Sequence, residues 1–567
     1  QTLCFEIPLE SVASYDDSGV TGHKSAWILE QGGYVFYAGA DVRSASEAYS
    51  LTLPETVVRQ CKSALGPLTA FKRMVNSNGK PEFEDVPLTG EAFPHDHAKL
   101  PAEIPQIGDR GIRLADVVNG KNTLEEFTAQ LTDYDLSCII RGEGMGSPKV
   151  TAGTAAAFGG VSDTLTALGI PCACCDDGPS GMRLDCGTKA FSLPNGTLLA
   201  STFDRPLMTE LFTFMGLEMH TNQVDCLLGP GMNIHRHPLN GRNFEYFSED
   251  PYLTGEMASA ELAGLHSTGA EGTIKHFCGN NRETRRHFLD SVISERALRE
   301  IYLRGFEKAV KKGGAKSVMT TYGQVNGVWT AGNYDLVTGI LRDDWGFDGF
   351  TMTDWWANIN RRGKAPDKSD FAAMAMAQND VYMVTADGAA CNDNTLDSLN
   401  SGELTRGELQ RNAMNILRFL TTTHAMKRVM GCDDETEIIN RPADAGDVDS
   451  TDIEFHDIDE DLTLDLTGIT TEKGSSYAFG LNVSKPGVYK VTLTASSTLS
   501  ELAQTSVSIF ALGSPCGMFT FNGTGGAPVS QTKDVKCLSN FMPIRLYFGG
   551  SGLKTQSIRF ELKERWT

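Results

Sequence analysis

The sequence predicts an α/β protein in which a (β/α)8 TIM-like barrel is flanked by β-sandwich modules. Between residue 112 and about residue 430, helical patterns alternate with six short apolar runs: Cys172–Asp177, Val224–Leu228, Gly272–Phe277, Ser317–Tyr322, Phe350–Trp355 and Asp380–Val384. This alternation predicts parallel strands joined by helices, and six or more such units favour a barrel. Towards both chain ends, apolar residues recur at every second position, which is typical of strands in sandwiches.

Length and charge limit the classes of protein to consider. With 567 residues the chain is too long for one core, so about two to four domains are expected. The net charge of −22 argues against nucleic acid and anionic membrane as partners. No apolar run approaches the roughly 20 residues that a membrane span requires.

The 13 cysteines are odd in number, and several lie inside apolar runs, where a thiol behaves as a small hydrophobic group. Cys172, Cys174 and Cys175 do not have the spacing of a zinc site, and no other Cys/His set pairs with them. We therefore predict reduced structural thiols, which favour a cytoplasmic location without excluding secretion.

The first 111 residues divide into two predicted segments. In residues 1–43, Leu3, Phe5 and Ile7 alternate with polar neighbours, and a second alternating run begins at Tyr34. Two or three strands cannot bury a core alone, so this segment is predicted to be the end of a sandwich that begins upstream or in another polypeptide. Residues 44–111 show no sustained period and are predicted to be a linker that wraps over the neighbouring domains.

Residues 112–435 form the predicted barrel domain. Its clearest helix begins after Ser294, a good N-cap, and its apolar face includes Leu298 and Phe306. The last barrel helix is predicted near Glu408–Leu420.

The C-terminal part of the chain changes character twice. Residues 436–463 are acidic and are interrupted by Pro442 and Gly446, so they are predicted to be a linker. In residues 464–567 apolar and polar residues alternate, as in the run from 489 to 495, which predicts an antiparallel β-sandwich. Such modules often bind polysaccharide, but a role in packing or oligomer formation is equally open.

A carboxylate follows the apolar run at residues 350–353 and directly precedes Trp355 and Trp356. In a parallel barrel, Asp354 would stand at the C-terminal tip of its strand, the edge that carries catalytic groups. A carboxylate beside an indole favours a sugar site, because the apolar face of the ring stacks on indole while the carboxylate meets the anomeric carbon. On this pattern alone, a helix-capping Asp354 with the tryptophans in the core is an equally good interpretation.

Four other segments at predicted strand ends carry polar residues that would converge on the same rim. They contribute Asp177 and Arg183 around a glycine-rich turn, Arg242 in a charged segment, the pair Lys275-His276, and Tyr322. Such groups can bind a polyhydroxy ring, since each hydroxyl both donates and accepts a hydrogen bond. Singly, each residue has a structural interpretation as a cap, an ion pair or a buried polar network. Together, at successive strand tips, they are hard to explain by stability alone.

Five segments closely resemble glycoside hydrolase family 3, and its β-glucosidase branch in particular. They occur in the family's order and spacing: Asp177–Arg183, Arg242–Pro251, Lys275–Phe277 with Asn280–Thr284, Met319–Tyr322, and Trp345–Gly349 with Thr353–Trp355. The resemblance implies that Asp354 is the nucleophile and that Trp355 packs on the sugar. It further implies that six residues line the glycone subsite: Asp177, Arg183, Arg242, Lys275, His276 and Tyr322.

Two features bear on which member of the family the chain resembles. The branch that handles N-acetylglucosamine carries a GHG-like stretch with a His-Asp acid/base loop, and Cys278–Asn281 argue against that branch. The family commonly places the barrel before an α/β sandwich and a fibronectin-like domain, yet here residues 1–43 resemble the end of a fibronectin-III-like domain. The resemblance thus implies a permuted member whose α/β sandwich lies upstream of Gln1. The acid/base glutamate is expected from that sandwich, outside these residues.

The resulting hypothesis is a retaining exo-β-glycosidase, in the first place a β-glucosidase that acts on short β-linked gluco-oligosaccharides through a covalent glycosyl-enzyme on Asp354. The expected partner is a β-glucoside substrate, no cofactor or metal is predicted, and a homo-oligomer is compatible with the sequence. One alternative is a β-xylosidase of the same family. The other is a non-catalytic carbohydrate-binding protein that keeps the pocket without the acid/base.

Overall fold

The computed structural model describes residues 4–88, 100–144, 147, 149–151, 153–185, 188–361, 363–436, 453–511, 514–537 and 541–565. Its centre is a barrel-like sheet of eight strands. They are β1 (Arg141–Gly144), β2 (Ala156–Gly159), β3 (Cys172–Asp176), β4 (Cys226–Leu227), β5 (Glu271–Phe277), β6 (Ser317–Thr320), β7 (Phe350–Met352) and β8 (Tyr382–Thr385). The order is β7-β6-β5-β4-β3-β2-β1-β8, and a bridge from Met352 to Val381 links the two edges, so the barrel nearly closes.

The sheet differs from the predicted all-parallel barrel at its second strand. β2 pairs antiparallel with β1 and with β3, whereas the other neighbouring strands pair in parallel. The connection between β1 and β2, residues 145–155, is too short for a helical crossover, which takes about a dozen residues or more. The chain therefore turns back beside the strand that it has just left.

Helices surround the sheet, and none in the described ranges is both long and apolar enough to cross a membrane. Ser294 accepts a hydrogen bond from the N–H of Ala297 and caps a helix there, as predicted. The α-helices are Leu114–Val118, Leu124–Ala129, Asp133–Ile139, Asp163–Ala167, Gly196–Ala200, Arg205–Thr221, Pro251–His266, Glu295–Ala297, Arg304–Lys311, Phe371–Met376, Thr395–Ser401, Arg406–Leu420 and His424–Met430. The other helical elements of the described ranges are two π-helices, Leu298–Tyr302 and Asp335–Asp344, and two 3-10 turns, Leu9–Val12 and Thr330–Gly332.

An aromatic cluster supports the base of β7. The ring centroids of Phe350 on β7 and Phe419 on the helix Arg406–Leu420 are 4.7 Å apart, and Phe158 on β2 lies 4.8 Å from Phe350. All three rings are buried. The cluster therefore fixes the strand whose tip carries Asp354.

The predicted C-terminal sandwich consists of two sheets around one apolar core. The five-stranded sheet has the order β9-β11-β16-β13-β14 and the four-stranded sheet the order β10-β17-β12-β15. The strands are β9 (Phe455–Ile458), β10 (Asp461–Asp465), β11 (Ser476–Val483), β12 (Gly487–Ser497), β13 (Thr505–Ala511), β14 (Ser514–Phe521), β15 (Val529–Cys537), β16 (Phe541–Phe548) and β17 (Leu553–Arg565). The sandwich thus begins inside the predicted acidic linker 436–463, most of which (437–452) lies outside the described residues. β9 pairs parallel with β11, and the other strand pairs are antiparallel.

One strand of the sandwich packs against the barrel. Every residue of β13 is buried, although only alternate side chains of a strand can face the core of its own sandwich. Ser506 and Ser508 on the other face each approach the carbonyl oxygen of Asp185 at 3.4 Å. The sandwich therefore covers part of the barrel rim near β3.

The N-terminal segment forms small sheets on the outside of the barrel. Ser14–Asp16, Ala26–Leu29 and Thr56–Gln60 form one sheet, and the Tyr15 hydroxyl within it donates a 2.7 Å hydrogen bond to Glu295 of the barrel. Two hairpins accompany it, Gly32–Ala38 with Ser46–Leu53 and Lys72–Ser77 with Lys80–Asp85. The boundary expected at residue 43 falls inside the first hairpin, and the expected linker 44–111 contains four strands. A further small sheet joins Asp290–Ser291, Gln324–Val325 and Val328–Trp329.

Two histidines and an aspartate fasten the end of the barrel domain. Asp433 Oδ1 lies 2.7 Å from His424 Nδ1, and its Oδ2 lies 3.1 Å from His220 Nε2. The two imidazole rings stack with centroids 3.8 Å apart. His424 Nε2 also lies 2.8 Å from the carbonyl oxygen of Thr268, so both of its ring nitrogens face oxygen acceptors. The cluster ties the end of the domain to the helix Arg205–Thr221.

Asp433→Asn is expected to lower the free energy of unfolding by about 1–3 kcal/mol, because it removes the charge that both histidines face in a largely buried cluster. Asp434→Asn is the matched control, since the Asp434 side chain is 83% exposed and only approaches Lys427 at 3.8 Å. Calorimetric melting of both variants measures the difference. Equal melting temperatures for the two variants would contradict the assignment of this cluster as an anchor.

Candidate active site

Asp354 lies just beyond β7, at the tip of the strand. The residue is 7% exposed, and its Oδ1 accepts a 2.8 Å hydrogen bond from the backbone N–H of Trp355. No donor among the described residues hydrogen-bonds to Oδ2. Burial raises the pKa of Asp354, because a charged carboxylate is costly to remove from water. One oxygen of a buried carboxyl group is thus left without a hydrogen bond.

Three cations oppose the effect of burial on Asp354. The charges of Arg286, Arg242 and Lys275 all lower the pKa of this carboxyl, with Arg286 the largest, but the net shift remains upward. Each cation is hydrogen-bonded to a different carboxylate at 2.5–2.9 Å: Arg286 to Glu283, Arg242 to Glu245 and Lys275 to Asp177. They therefore act on Asp354 through their electric field and leave Oδ2 open.

The imidazole of His276 faces the open oxygen of Asp354. His276 Nε2 lies 3.7 Å from Asp354 Oδ2, and His276 Nδ1 lies 3.2 Å from the Tyr246 hydroxyl. The Tyr246 hydroxyl accepts a 2.9 Å hydrogen bond from Asn280 Nδ2, so its own proton is free for His276 Nδ1. Burial, Arg242 and Lys275 lower the pKa of His276 well below its usual value. The neutral ring accordingly accepts at Nδ1 and carries its proton at Nε2, towards Asp354.

The pair formed by Lys275 and Asp177 spans β5 and the loop after β3. Lys275 Nζ donates a 2.8 Å hydrogen bond to Asp177 Oδ1. The Lys275 side chain is buried, whereas the Asp177 side chain is 45% exposed and so is available to a ligand. Burial among its neighbours works to raise the pKa of Asp177, but Lys275, Arg183 and Arg242 outweigh it and lower the pKa. Asp177 is thereby held as an accessible carboxylate.

Asp176, the last residue of β3, is a second acidic residue next to Asp177, and it was not selected from the sequence. It is fully buried, and its Oδ2 accepts a 3.1 Å hydrogen bond from the backbone N–H of Arg183. Its Oδ1 has no hydrogen-bond partner in the described part of the chain. Burial and the charge of Asp177 raise the pKa of Asp176 well above its usual value, which favours the protonated form.

Tyr322 follows β6 and lies beside Asp354. Burial and the Asp354 carboxylate raise the pKa of the Tyr322 phenol well above its usual value, which keeps its proton on the oxygen. The guanidinium carbon of Arg286 is 4.4 Å from the centre of the Tyr322 ring, and the centroids of the His287 and Tyr322 rings are 4.1 Å apart. The phenol is thus a fixed hydrogen-bond donor next to the carboxylate.

The structure brings most of the predicted residues together. Asp177, Arg242, Lys275, His276 and Tyr322 lie around Asp354, linked by the contacts described above. Trp355 is partly buried beside them and packs against the barrel core. Arg183 is more peripheral, because its side chain is 57% exposed and forms a 3.2 Å ion pair with Asp185.

Arg286 and Tyr246 belong to the same cluster but were not selected from the sequence. Arg286 is one of three arginines between residues 282 and 286, and nothing in their order distinguishes the one that faces Asp354. Tyr246 lies in the segment that supplied Arg242, where aromatic residues also occur at 244 and 247. The one sequence feature that pointed to Arg286 and Tyr246 is the high charge density of their loops, which indicates the region but not the individual residue.

The cluster can bind a neutral polyhydroxy ring and offer it a nucleophile. Donors and acceptors of both kinds surround Asp354, which matches the needs of hydroxyl groups. Within the described ranges, the one group of three residues that could hold a metal ion is His220, His424 and Asp433. It lies beside Thr268, before the start of β5, whereas Lys275 and His276 lie near that strand's other end.

Three comparisons place the chain among known proteins. Residues 106–419 match the model of the Glycosyl hydrolase family 3 N terminal domain. A β-glucosidase of Ruminococcus albus is 59% identical, and the match covers 100% of this chain and 61% of that protein. β-Glucosidase A of Butyrivibrio fibrisolvens is 34% identical, and the match covers 75% of this chain and 52% of that protein. The crystal structure of a β-glucosidase from Paenibacillus barengoltzii aligns with a TM-score of 0.74 and 43% identity, covering 98% of this chain and 61% of that one. The chain thus spans about half to three fifths of the length of these relatives.

Replacing Arg286 by Met is expected to move the titration of the Asp354 carboxyl to higher pH. Arg286 is the cation that lowers this pKa most, so its loss leaves the opposing effect of burial less compensated. Difference infrared titration of the carboxyl band, with Asp354→Asn as the reference spectrum, measures the midpoint. Arg286→Lys keeps a positive charge and should shift the midpoint less. An unchanged or lower midpoint in Arg286→Met would refute the electrostatic role.

Proposed function

The chain belongs to glycoside hydrolase family 3, and from that premise we propose that it is a retaining, exo-acting β-glucosidase that hydrolyses terminal β-D-glucosyl residues. The observation that carries the proposal is the open Oδ2 of Asp354, a buried carboxylate at a strand tip with three cations around it and none bonded to it. The Ruminococcus albus and Paenibacillus barengoltzii relatives are β-glucosidases, which supports glucose as the sugar.

In the proposed first step, Asp354 Oδ2 attacks the anomeric carbon and the glycosidic C–O bond breaks. A general acid protonates the departing oxygen, and a covalent glycosyl-enzyme remains. In the second step the same acid/base takes a proton from water, which attacks the anomeric carbon and releases glucose with its original configuration. Asp354 leaves as a carboxylate and is ready for the next turnover.

The neighbouring residues would hold the sugar for that attack. Asp177 would accept hydrogen bonds from sugar hydroxyls, since Lys275 holds it ionised and its side chain is accessible. The Nε2–H of His276 and the phenol of Tyr322 are donors beside Asp354. The indole of Trp355 would pack on the apolar face of the ring.

The acid/base is proposed to come from an α/β sandwich outside these residues. Retaining catalysis places the two carboxyl groups about 5 Å apart. Glu245 and Glu283 each accept a hydrogen bond from an arginine of the cluster. Both carboxylates are therefore already engaged within the cluster and are not proposed as the acid/base.

The N-terminal hairpin is proposed to be the end of a fibronectin-III-like sandwich. Val35, Tyr37 and Tyr49 of this hairpin are exposed. A two-stranded hairpin is marginal by itself, so these apolar side chains are consistent with packing against further strands of a longer polypeptide.

A covalent label tests the nucleophile without requiring the acid. Incubation with a 2-deoxy-2-fluoro-β-glucoside that carries an activated leaving group is expected to add one fluoroglucosyl group to Asp354, found by intact mass and peptide mapping. Asp354→Asn should take up no label, whereas Asp348→Asn, altered at an exposed side chain, should label normally. An adduct on another residue would refute the nucleophile assignment. Glucose binding without any adduct would favour a carbohydrate-binding protein, and labelling by the fluoroxyloside alone would favour a β-xylosidase.

Lys275→Met is expected to lower kcat/KM for an aryl β-glucoside by about 10- to 100-fold, mainly through KM. The substitution removes a charge-assisted hydrogen bond to Asp177, a class of interaction worth about 1.5–3 kcal/mol. Lys316→Met is the control, because Lys316 pairs with Asp348 at the surface. Steady-state kinetics of both variants measure the effect. Equal kcat/KM values would argue against a sugar-binding role for the Lys275–Asp177 pair.

A further inference from the structure

We propose that the C-terminal sandwich contributes to sugar binding, because it packs against Asp185 and, through Asp185, positions the guanidinium of Arg183. The inference rests on the proposed function and on the expectation, from the family resemblance, that Arg183 lines the glycone subsite. Asp185 is then a positioning residue, and the sandwich is more than an appended module.

The sandwich contacts the barrel rim at the backbone of Asp185. Ser506 and Ser508, on the outward face of β13, both point their hydroxyls at the Asp185 carbonyl oxygen. Both serines are buried, so the contact is closed to bulk water. At 3.4 Å the two hydrogen bonds are long and add little stability. The barrel domain also holds this backbone, because the Asp185 N–H donates a 2.9 Å hydrogen bond to the Gly153 carbonyl oxygen, so the sandwich acts on Asp185 mainly by packing against its carbonyl group.

Gly549, directly after β16, leaves no space at this contact. A Cβ at Gly549 would lie 2.9 Å from the carbonyl oxygen of Asp185 and would also collide with Ser506 Oγ. Real Cβ atoms do not approach backbone oxygen so closely, so a side chain here requires Ser506, Asp185 or the Gly549 backbone to shift. The neighbouring Gly550 differs, because its nearest atom is the Thr505 Cγ2 methyl at 3.2 Å.

Charge connects Asp185 to Arg183. Arg183 Nη2 lies 3.2 Å from Asp185 Oδ2, and the Asp185 side chain is mostly buried whereas that of Arg183 is mostly exposed. Burial raises the pKa of Asp185, while the charges of Arg183 and of Lys473, which belongs to the sandwich, lower it. The sandwich therefore contributes both packing and a charge to the group that holds Arg183.

The loop of residues 177–185, which follows β3, is also held near its other end by hydrogen bonds to Asp176 and Asp177. The Arg183 backbone N–H donates to the Asp177 carbonyl oxygen at 2.7 Å and to Asp176 Oδ2 at 3.1 Å. The backbone of Arg183 is thus fixed by the barrel, and its guanidinium is fixed by Asp185. A shift of Asp185 would leave Asp177 in place and release the Arg183 side chain alone.

Gly549→Ala is expected to raise KM for an aryl β-glucoside about three- to fivefold with little change in kcat, since the Arg183–Asp185 pair is partly exposed and such pairs are worth up to about 1 kcal/mol. Gly550→Ala is the matched control and should leave both constants unchanged. Asp185→Asn, which keeps the shape of the side chain but removes its charge, should reproduce the Gly549→Ala effect. In an Arg183→Met background, Gly549→Ala should have no additional effect on KM.

A chemical readout tests the positioning separately from turnover. Phenylglyoxal modification of Arg183, followed by peptide mapping, is expected to be faster in Gly549→Ala and Asp185→Asn than in wild type or Gly550→Ala. Unchanged reactivity would overturn the inference, as would additive effects of Gly549→Ala and Arg183→Met on KM. If the wild type neither turns over nor binds glucosides, the proposed function fails, while the reactivity of Arg183 still decides whether the sandwich positions it.

Discussion

The burial of the Asp354 carboxylate is the constraint on which the rest of the site depends. A carboxylate removed from water needs nearby positive charge, yet a cation bonded directly to it would occupy the oxygen that attacks the sugar in the proposed mechanism. The protein meets both needs by pairing each nearby cation with another carboxylate, so that only their fields reach Asp354. The surrounding ion pairs are therefore a condition for an open nucleophile, and the loops after several strands must fold together to supply them.

The positions of the strand-tip residues could be predicted because they depend on chain order and periodicity. A buried parallel strand places the residue after it at the rim, and Asp354, Lys275, His276 and Tyr322 were located in this way. The antiparallel β2 could not be found in this way, because it has only four residues, three of them small (Ala156, Ala157 and Gly159), and its short connection to β1 carries no periodic signal. Arg286 was missed for a related reason, since its position depends on a loop conformation that has no local pattern.

The domain limits were harder to predict than the site. The linker 44–111 was inferred from the lack of a period, but its strands form hairpins that are exposed on both faces, and such strands need no alternation of apolar and polar residues. The sandwich was recognised from residue 464 onward by its period of two, because its two sheets enclose a core, whereas its first strand, Phe455–Ile458, fell in the predicted acidic linker. The alternation of apolar and polar residues therefore indicates a strand with one buried face. It does not reveal a strand that is solvent-exposed on both faces or buried on both.

β13 is a strand of the second kind, buried on both faces. Such a strand has two neighbours, its own sandwich core and another surface, and its small polar residues on the outer face indicate close approach of a backbone. That surface is the loop that leads from Asp177 to Asp185. The barrel holds this loop at Asp177 and through the hydrogen bond from the Asp185 N–H to Gly153, and the sandwich packs on the Asp185 carbonyl group. In the proposed arrangement, the shape of the pocket at Arg183 therefore depends on how the two domains fit. Under the proposed function, a change in the sandwich would then alter sugar affinity without touching Asp354, so that binding and chemistry are separable within one chain.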